Sequence, residues 1–216
     1  MVTADYDTLT AFQKRAISLR YWLQGRGYFQ ALKAMDFAQA IHCGTRKDLF
    51  TPEFDHQISI AHYLRTLTPS LLHPEATFCA VFGHDVGEPP YNIPRAEYEP
   101  IFGELASNAI EAMTKKYRNV VLPENEVFAR IARDPLASIV KPADRVHNLQ
   151  SMQGVFGPAK QRSYVEDVKR VFLPSIKISR RLYPEQEAAY ENVKHVLVSQ
   201  IALIEAALVA TELQAA

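Results

Sequence analysis

Residues 84–88 read His-Asp-Val-Gly-Glu (HDVGE), and the adjacent imidazole and carboxylate have two partners at a distance. His56 lies upstream in TPEFDHQISIAHYL (51–64), and Asp144 lies downstream in KPADRVHN (141–148). Two imidazoles and two carboxylates suit a divalent transition metal. A metal held that way turns water into a nucleophile at neutral pH. The HDVGE stretch closes a helical pattern: over residues 75–86, Phe78, Val81, Phe82 and Asp85 recur at helical spacing. Gly87 and Pro89-Pro90 are expected to end that helix.

Outward from there the periodicity stays helical. Residues 99–117 place Phe102, Leu105, Ala109, Met113 and Tyr117 on one face. Thr51-Pro52-Glu53 offers a hydroxyl N-cap, a proline at the first helical position and an early acid, which predicts a helix from there to about Leu67 with His56 in its second turn. Residues 88–98 (EPPYNIPRAEY) read as a Pro-rich loop beside the HD pair. Helices are expected over 123–133 and 135–152, the latter kinked by Pro142 or starting near it. Two more follow over 158–182 and 185–213, with Pro174 bending the first and Pro184 dividing them. No run of alternating apolar and polar residues, internal repeat or linker stands out, so the expectation is one all-α domain, a helical bundle spanning 1–216.

Composition narrows the function classes. The 24 Lys and Arg balance the 24 Asp and Glu, so no global field draws the chain onto nucleic acid or an anionic membrane. The two cysteines, Cys43 and Cys79, form no CxxC pair and read as buried or half-buried thiols in a reducing compartment. MVTADYDTLTAFQKR lacks the apolar core of a signal peptide. The apolar stretch VLVSQIALIEAALVATEL is interrupted by Gln200, Glu205 and Glu212, and reads as a buried terminal helix rather than a bilayer span. Together these point to the cytoplasm.

An isolated His-Asp neighbour pair is weak in a chain with seven histidines. Asp144, Asn148 and Ser151 share one helix face, flanked by the apolar Ile139, Ala143 and Val146. Buried, such a stripe needs a metal and a polar ligand as partners; exposed, it is a solvated face. Spacing alone leaves both readings open.

Several ordered segments together resemble HD-domain phosphohydrolases, specifically the hydrolase domain of the RelA/SpoT alarmone enzymes and their small single-domain relatives. DFAQAIHCGTRKD (36–48) is similar to the family's AH-x-x-x-RK opening, His56 to the His of its HP motif with Gln57 for Pro, and HDVGE to HD-x-x-ED. Phe102-Gly103 with Thr114-Lys115 resembles its FG…TK pair, and KPADRVHNLQS (141–151) resembles KLADRLHNMRT. The match runs from about residue 35 to 152.

The resemblance implies a helical domain holding one divalent ion, commonly manganese. By position it makes His56, His84, Asp85 and Asp144 the metal ligands, Arg46 and Lys47 nucleotide contacts, and Asn148 and Ser151 ribose-side contacts. Lys115 joins the phosphate-binding cations, and Glu88 is the expected catalytic group for the attacking water. Asp48 stands where the family has Ser beside the base, and as an acceptor it can pair with a base N–H or remain a loop acid. His42 and His147 are expected to pack or hydrogen-bond nearby. Pro89 replaces the family's Asp and brings no carboxylate.

The implied activity is removal of the 3′-diphosphate of (p)ppGpp or a close analogue. HDVGEPP also resembles the HD-x-G-x-PP string of deoxynucleotide triphosphohydrolases, so another HD-type nucleotidase, including a 5′-nucleotidase, is the first alternative. A catalytically weak alarmone-binding module is the second.

Overall fold

The computed structural model describes residues 9–117 and 120–215, so the first eight residues of the expected leaderless N-terminus lie outside the described residues. Helices α1 (Ala11–Gly25) and α2 (Phe29–Ile41) open the chain, followed by α3 (Asp55–Arg65) and α4 (Pro74–Gly83). Next come α5 (Arg95–Phe102), α6 (Glu104–Met113) and a two-residue hairpin, β1 (Lys116–Tyr117) against β2 (Val120–Val121). The rest is α7 (Glu124–Ala132), α8 (Ala137–Ser151), α9 (Pro158–Asp167), α10 (Leu173–Leu182) and α11 (Glu187–Ala215). The fold is all-α.

Helix α4 is the central rod. Residues Thr77 to Gly83 are all buried, as expected of a helix apolar on every side. It packs against α2, α3, α6 and α8, and Phe78, Val81 and Phe82 are wholly buried. Helix α8 crosses the same core, with α3 on one side and α11 on the other. The C-terminal ends of α4 and α8 and the start of α3 therefore come from mutually packed helices, which fixes the side chains they carry.

Several boundaries differ from the sequence reading. Helix α4 ends at Gly83, so Asp85 lies in the following turn rather than on the helix. Thr51 caps nothing: its N–H donates to Asp48 Oδ1 (2.9 Å), its hydroxyl to Asp48 Oδ2, and its carbonyl accepts from Arg46 N (2.8 Å). Glu53 N donates to Gly44 O (2.9 Å), so residues 44–53 close into a loop and α3 starts at Asp55, with His56 in its first turn.

The expected helix over 99–117 is two helices and a strand. Gly103 sits at φ +81° between α5 and α6, a conformation that breaks the helical path and favours glycine. Helix α5 begins inside the expected Pro-rich loop, at Arg95 after Pro94. The hairpin strands are too short to show alternation. Pro142 sits, buried, in the interior of α8. In the 158–182 stretch a π-helical turn, Val168–Phe172, precedes Pro174 and separates α9 from α10.

Two burial expectations are corrected. Cys43 is exposed, while Cys79 is buried and burial pushes its thiol up to about 12. Helix α11 is only half-buried. Tyr190, Val193, Leu197, Ile201 and Ile204 form its inner stripe, while Leu203, Val209 and Leu213 face outward. The segment Pro184–Leu213 is long and apolar enough to cross a membrane by length and composition, yet Glu205 and Glu212 on it pair with Lys169 and Arg162.

A Cβ at Gly83 would lie 2.5 Å from Ile110 Cδ1 and 3.1 Å from Phe102 Cε1. This clash outweighs the roughly 0.5–1 kcal/mol that Ala gains over Gly in a helix. Gly83→Ala is therefore expected to cost about 1–3 kcal/mol in urea unfolding, the range for overpacked cores. An unchanged or higher midpoint would contradict the packing described.

Candidate metal centre and substrate cleft

Asp144 is 6% exposed on α8, and its carboxylate collects the site. Its Oδ1 lies 3.0 Å from His56 Nε2 and 3.9 Å from His84 Nε2, and accepts from Asn148 Nδ2 at 2.6 Å. Its Oδ2 lies 3.0 Å from Lys141 Nζ. Burial opposes ionisation, but Lys141 and the His56 hydrogen bond outweigh it and hold the Asp144 carboxyl well below its ordinary range. The same pairing works in reverse on Lys141: burial disfavours its ammonium, and Asp144 and Glu88 more than compensate, raising its pKa.

His56, His84 and Asp144 offer ligand atoms that all lie within 4.8 Å of one another, and all three residues are buried. This His-His-Asp cluster can hold a metal ion. Ring orientation fits that use. His84 Nδ1 donates to the Val81 carbonyl (2.8 Å), which in the neutral ring leaves Nε2 bare and aimed at the carboxylate. His56 Nδ1 lies 2.8 Å from His147 Nδ1, so one of the two donates, and a His56 donor again leaves a bare Nε2 facing Asp144. Burial and then His56 hold the His147 pKa down at about 3, so it is neutral at physiological pH. Without an ion, a His56 proton on Nε2 bonds Asp144; with that proton on Nδ1, both imidazoles turn bare nitrogens to the carboxylate, an arrangement that a cation completes.

Asp85 is not within that trio. Its Oδ2 accepts from Gln57 Nε2 (3.4 Å), its Oδ1 lies 3.4 Å from His42 Nε2, and Oδ1 is buried with no hydrogen-bond partner. Burial opposes its ionisation, yet His84 and His42 hold its carboxyl below the usual carboxylate range. An ionised oxygen left unpaired beside the cluster fits a fourth ligand.

A cleft of about 700 Å³ opens over these groups, with His56, Asp85 and His147 in its lining. Arg46, Lys47, Asp48, Asn148 and Ser151 also line it. Arg46 Nη2 donates to Ser151 Oγ (3.1 Å) and Asn148 Oδ1 (3.5 Å), so one hydrogen-bonded row runs from Asp144 through Asn148 to Arg46. Asp48 lies in the wall, but its carboxylate is engaged by the Thr51 hydroxyl and the N–H groups of Thr51 and Phe50, bonds that hold its pKa low. It organises the loop that presents Arg46 and Lys47.

Two expected residues stand apart. Lys115 lines a separate pocket of about 550 Å³ with Arg95 and Arg130. Glu88 does not line the cleft; its Oε1 accepts from Lys115 N (2.6 Å), and it faces Lys141. Sequence reading missed Lys141, Gln57 and the aromatic end of the cleft. There Lys47 Nζ sits 4.9 Å from the Phe156 ring centroid, and Phe50 lines the cleft while 79% exposed. Lys141 was visible as the residue one turn before Asp144; nothing local marked the others.

No protein-family model matches the chain. A Synechocystis protein named as a probable guanosine-3′,5′-bis(diphosphate) 3′-pyrophosphohydrolase is 31% identical over 150 residues, covering 66% of this chain and 19% of that protein. The chain carries a hydrolase-like HD domain of the RelA/SpoT family. A probable GTP pyrophosphokinase of Mycobacterium leprae is 26% identical over 149 residues, covering 66% of this chain and 18% of its own length. The GTP pyrophosphokinase rsh of Brucella ovis is 26% identical over 150 residues, with 66% and 19% covered. The chain thus spans about a fifth of the length of the curated relatives it matches.

A bound ion stabilises the folded state in proportion to its affinity and concentration. Excess Mn²⁺ is expected to raise the melting temperature of the wild type. His84→Ala and Asp144→Ala are expected to stay helical by circular dichroism and to lose that rise. Full Mn²⁺-dependent stabilisation in both variants would contradict this site.

Proposed function

We propose that the chain is a metal-dependent phosphohydrolase of the cytoplasm that removes the 3′-diphosphate of (p)ppGpp or a close analogue, with Mn²⁺ as its ion. The observation that carries this reading is the row from the buried His56–His84–Asp144 cluster through Asn148 to Arg46 and Ser151 along one cleft. In this reading the cluster is the metal-binding end, and Arg46, Asn148 and Ser151 are the wall that takes the substrate's hydroxyl and phosphate groups. The name of the Synechocystis relative supplies the substrate class.

When bound, a divalent ion there acidifies water and offsets phosphate charge. Arg46 and Lys47 bring cationic donors to the substrate's phosphates. Asn148 and Ser151 present hydrogen-bonding groups to the ribose. The aromatic end, with Phe156 and Phe50, suits a stacked base. Water adds to the phosphorus bonded to the ribose 3′-oxygen and the P–O3′ bond breaks. Glu88, reached from the cleft through solvent, takes one proton of the attacking water, and that proton passes on to the departing oxygen to give the 3′-hydroxyl. Its carboxylate is held by Lys115 N and faces Lys141, so the part assigned to Lys115 is now its backbone N–H rather than a phosphate contact.

Pro89 gives the reading as another HD-type nucleotidase, a deoxynucleotide triphosphohydrolase or a 5′-nucleotidase, its specific support, because no second carboxylate follows Glu88. A panel of 3′- and 5′-phosphorylated nucleotides with Mn²⁺, products identified by mass, separates the readings. GDP or GTP with intact pyrophosphate supports the proposal. Triphosphate or orthophosphate release selects the nucleotidase, and binding without turnover selects the binding module.

Two variants test the roles. Glu88→Gln keeps the acceptor for Lys115 N but cannot take a proton, so kcat is expected to fall roughly 100-fold with binding retained. A brisk wild type indifferent to this change would remove Glu88 from the mechanism. Asn148→Ala is expected to raise KM more than it lowers kcat, because its contact is formed equally in ground and transition states. An unchanged KM would reduce Asn148 to a support for Asp144.

A further inference from the structure

Four side chains with no part in the steps above form a chain that ends on Asp85. Gln57, on α3, is 1% exposed, and His42, at the end of α2, is 3% exposed. Gln57 Nε2 lies 2.9 Å from His42 Nε2 and 3.4 Å from Asp85 Oδ2. His42 Nδ1 lies 2.5 Å from the hydroxyl of Tyr91, which follows Pro89-Pro90 in the loop after the HD pair. The Tyr91 hydroxyl in turn faces the Glu53 carboxylate, which after burial contributes most to raising its pKa.

The protons on this chain have one consistent direction. Carboxylates at its two ends only accept. The Gln57 amide has two N–H groups, one for Asp85 Oδ2 and one for His42 Nε2. An accepting Nε2 places the ring proton on Nδ1, which donates to Tyr91 Oη, and the tyrosine hydrogen goes to Glu53. Turning the amide over would set Gln57 Oε1 against the Asp85 carboxylate, acceptor to acceptor. Gln57 Oε1 is left buried without a hydrogen-bond partner, a cost set against the two bonds its N–H groups make.

We propose that Gln57, His42 and Tyr91 are positioning residues for Asp85: Gln57 engages Oδ2, His42, held by Gln57 and Tyr91, packs 3.4 Å from Oδ1 without hydrogen-bonding it, and Oδ1 is the oxygen offered to the metal. The inference rests on the reading of Asp85 as a ligand. A proline at position 57, as in the HP motif this segment resembles, has no amide to do this, and Tyr91 follows directly on the Pro89 departure. The two departures meet on one carboxylate. Partners that orient a ligating carboxylate typically contribute 10–100-fold to metal affinity.

The test is Mn²⁺ titration of metal-free wild type, Gln57→Leu, Tyr91→Phe and Asp85→Ala, with circular dichroism and the metal-free melting temperature measured beside it. Gln57→Leu is expected to weaken Mn²⁺ binding 10–100-fold, and Tyr91→Phe by a smaller factor, with helical content unchanged. Tyr91→Phe carries the test if the Gln57 variant does not fold. Wild-type Mn²⁺ affinity in Gln57→Leu and Tyr91→Phe, with weak binding by Asp85→Ala, would overturn the positioning role alone. Wild-type affinity in Asp85→Ala would overturn the ligand reading and the inference with it. A lower melting temperature without a change in Mn²⁺ affinity would make the chain a packing element only and overturn the proposal.

Discussion

Asp144 is a carboxylate taken out of water, and the site is organised around compensating it. An unpaired buried charge is too costly to keep, so it must find cations and donors. Lys141 supplies one positive charge from the same helix, Asn148 one N–H from the next turn, and His56 approaches from α3 and His84 from just past the end of α4. Lys141 occupies one carboxylate oxygen; the imidazoles and Asn148 crowd the other. With the His56 proton on Nδ1, both imidazoles face that oxygen with bare nitrogens, and a cation beside Lys141 completes the arrangement.

That arrangement constrains the fold. The three contributing segments must meet within ångströms, which needs α3, α4 and α8 locked together. Helix α4 does this by being buried on every side, and it ends at Gly83 so that His84 and Asp85 leave the core at the meeting point. The loop over 44–53 serves the other end of the cleft. Asp48 spends its carboxylate on that loop, and Arg46 is thereby set against Asn148 and Ser151. Asn148 links the two ends of the cleft, hydrogen-bonding both Asp144 and Arg46.

Much of this was legible in the chain. The apolar spacing of α4, α7 and α8 is local information, and Asp144, Asn148 and Ser151 do share a face. The legible part ended where local signals have two uses. Thr51-Pro52-Glu53 has a helix-start pattern, but Asp48 captured the threonine, so a side chain three residues away moved the start of α3. Gly103 lies within the helical pattern read over 99–117, and only its positive φ reveals the break. Gln57, His42 and Tyr91 are separated by 15 to 49 residues in their contacts, so no window of sequence could group them. Lys115 shows the opposite case: a motif position kept in sequence whose side chain lines a different pocket while its backbone holds Glu88.

The central claim is that one metal ion is shared by side chains from three separate segments of the chain. A crystal structure of the Mn²⁺-soaked protein, with anomalous data at the manganese edge, tests it directly. The account predicts a single strong anomalous peak within bonding distance of His56 Nε2, His84 Nε2 and an oxygen of Asp144, with Asp85 Oδ1 turned to it. A peak away from this cluster, or none at saturating Mn²⁺, would contradict it.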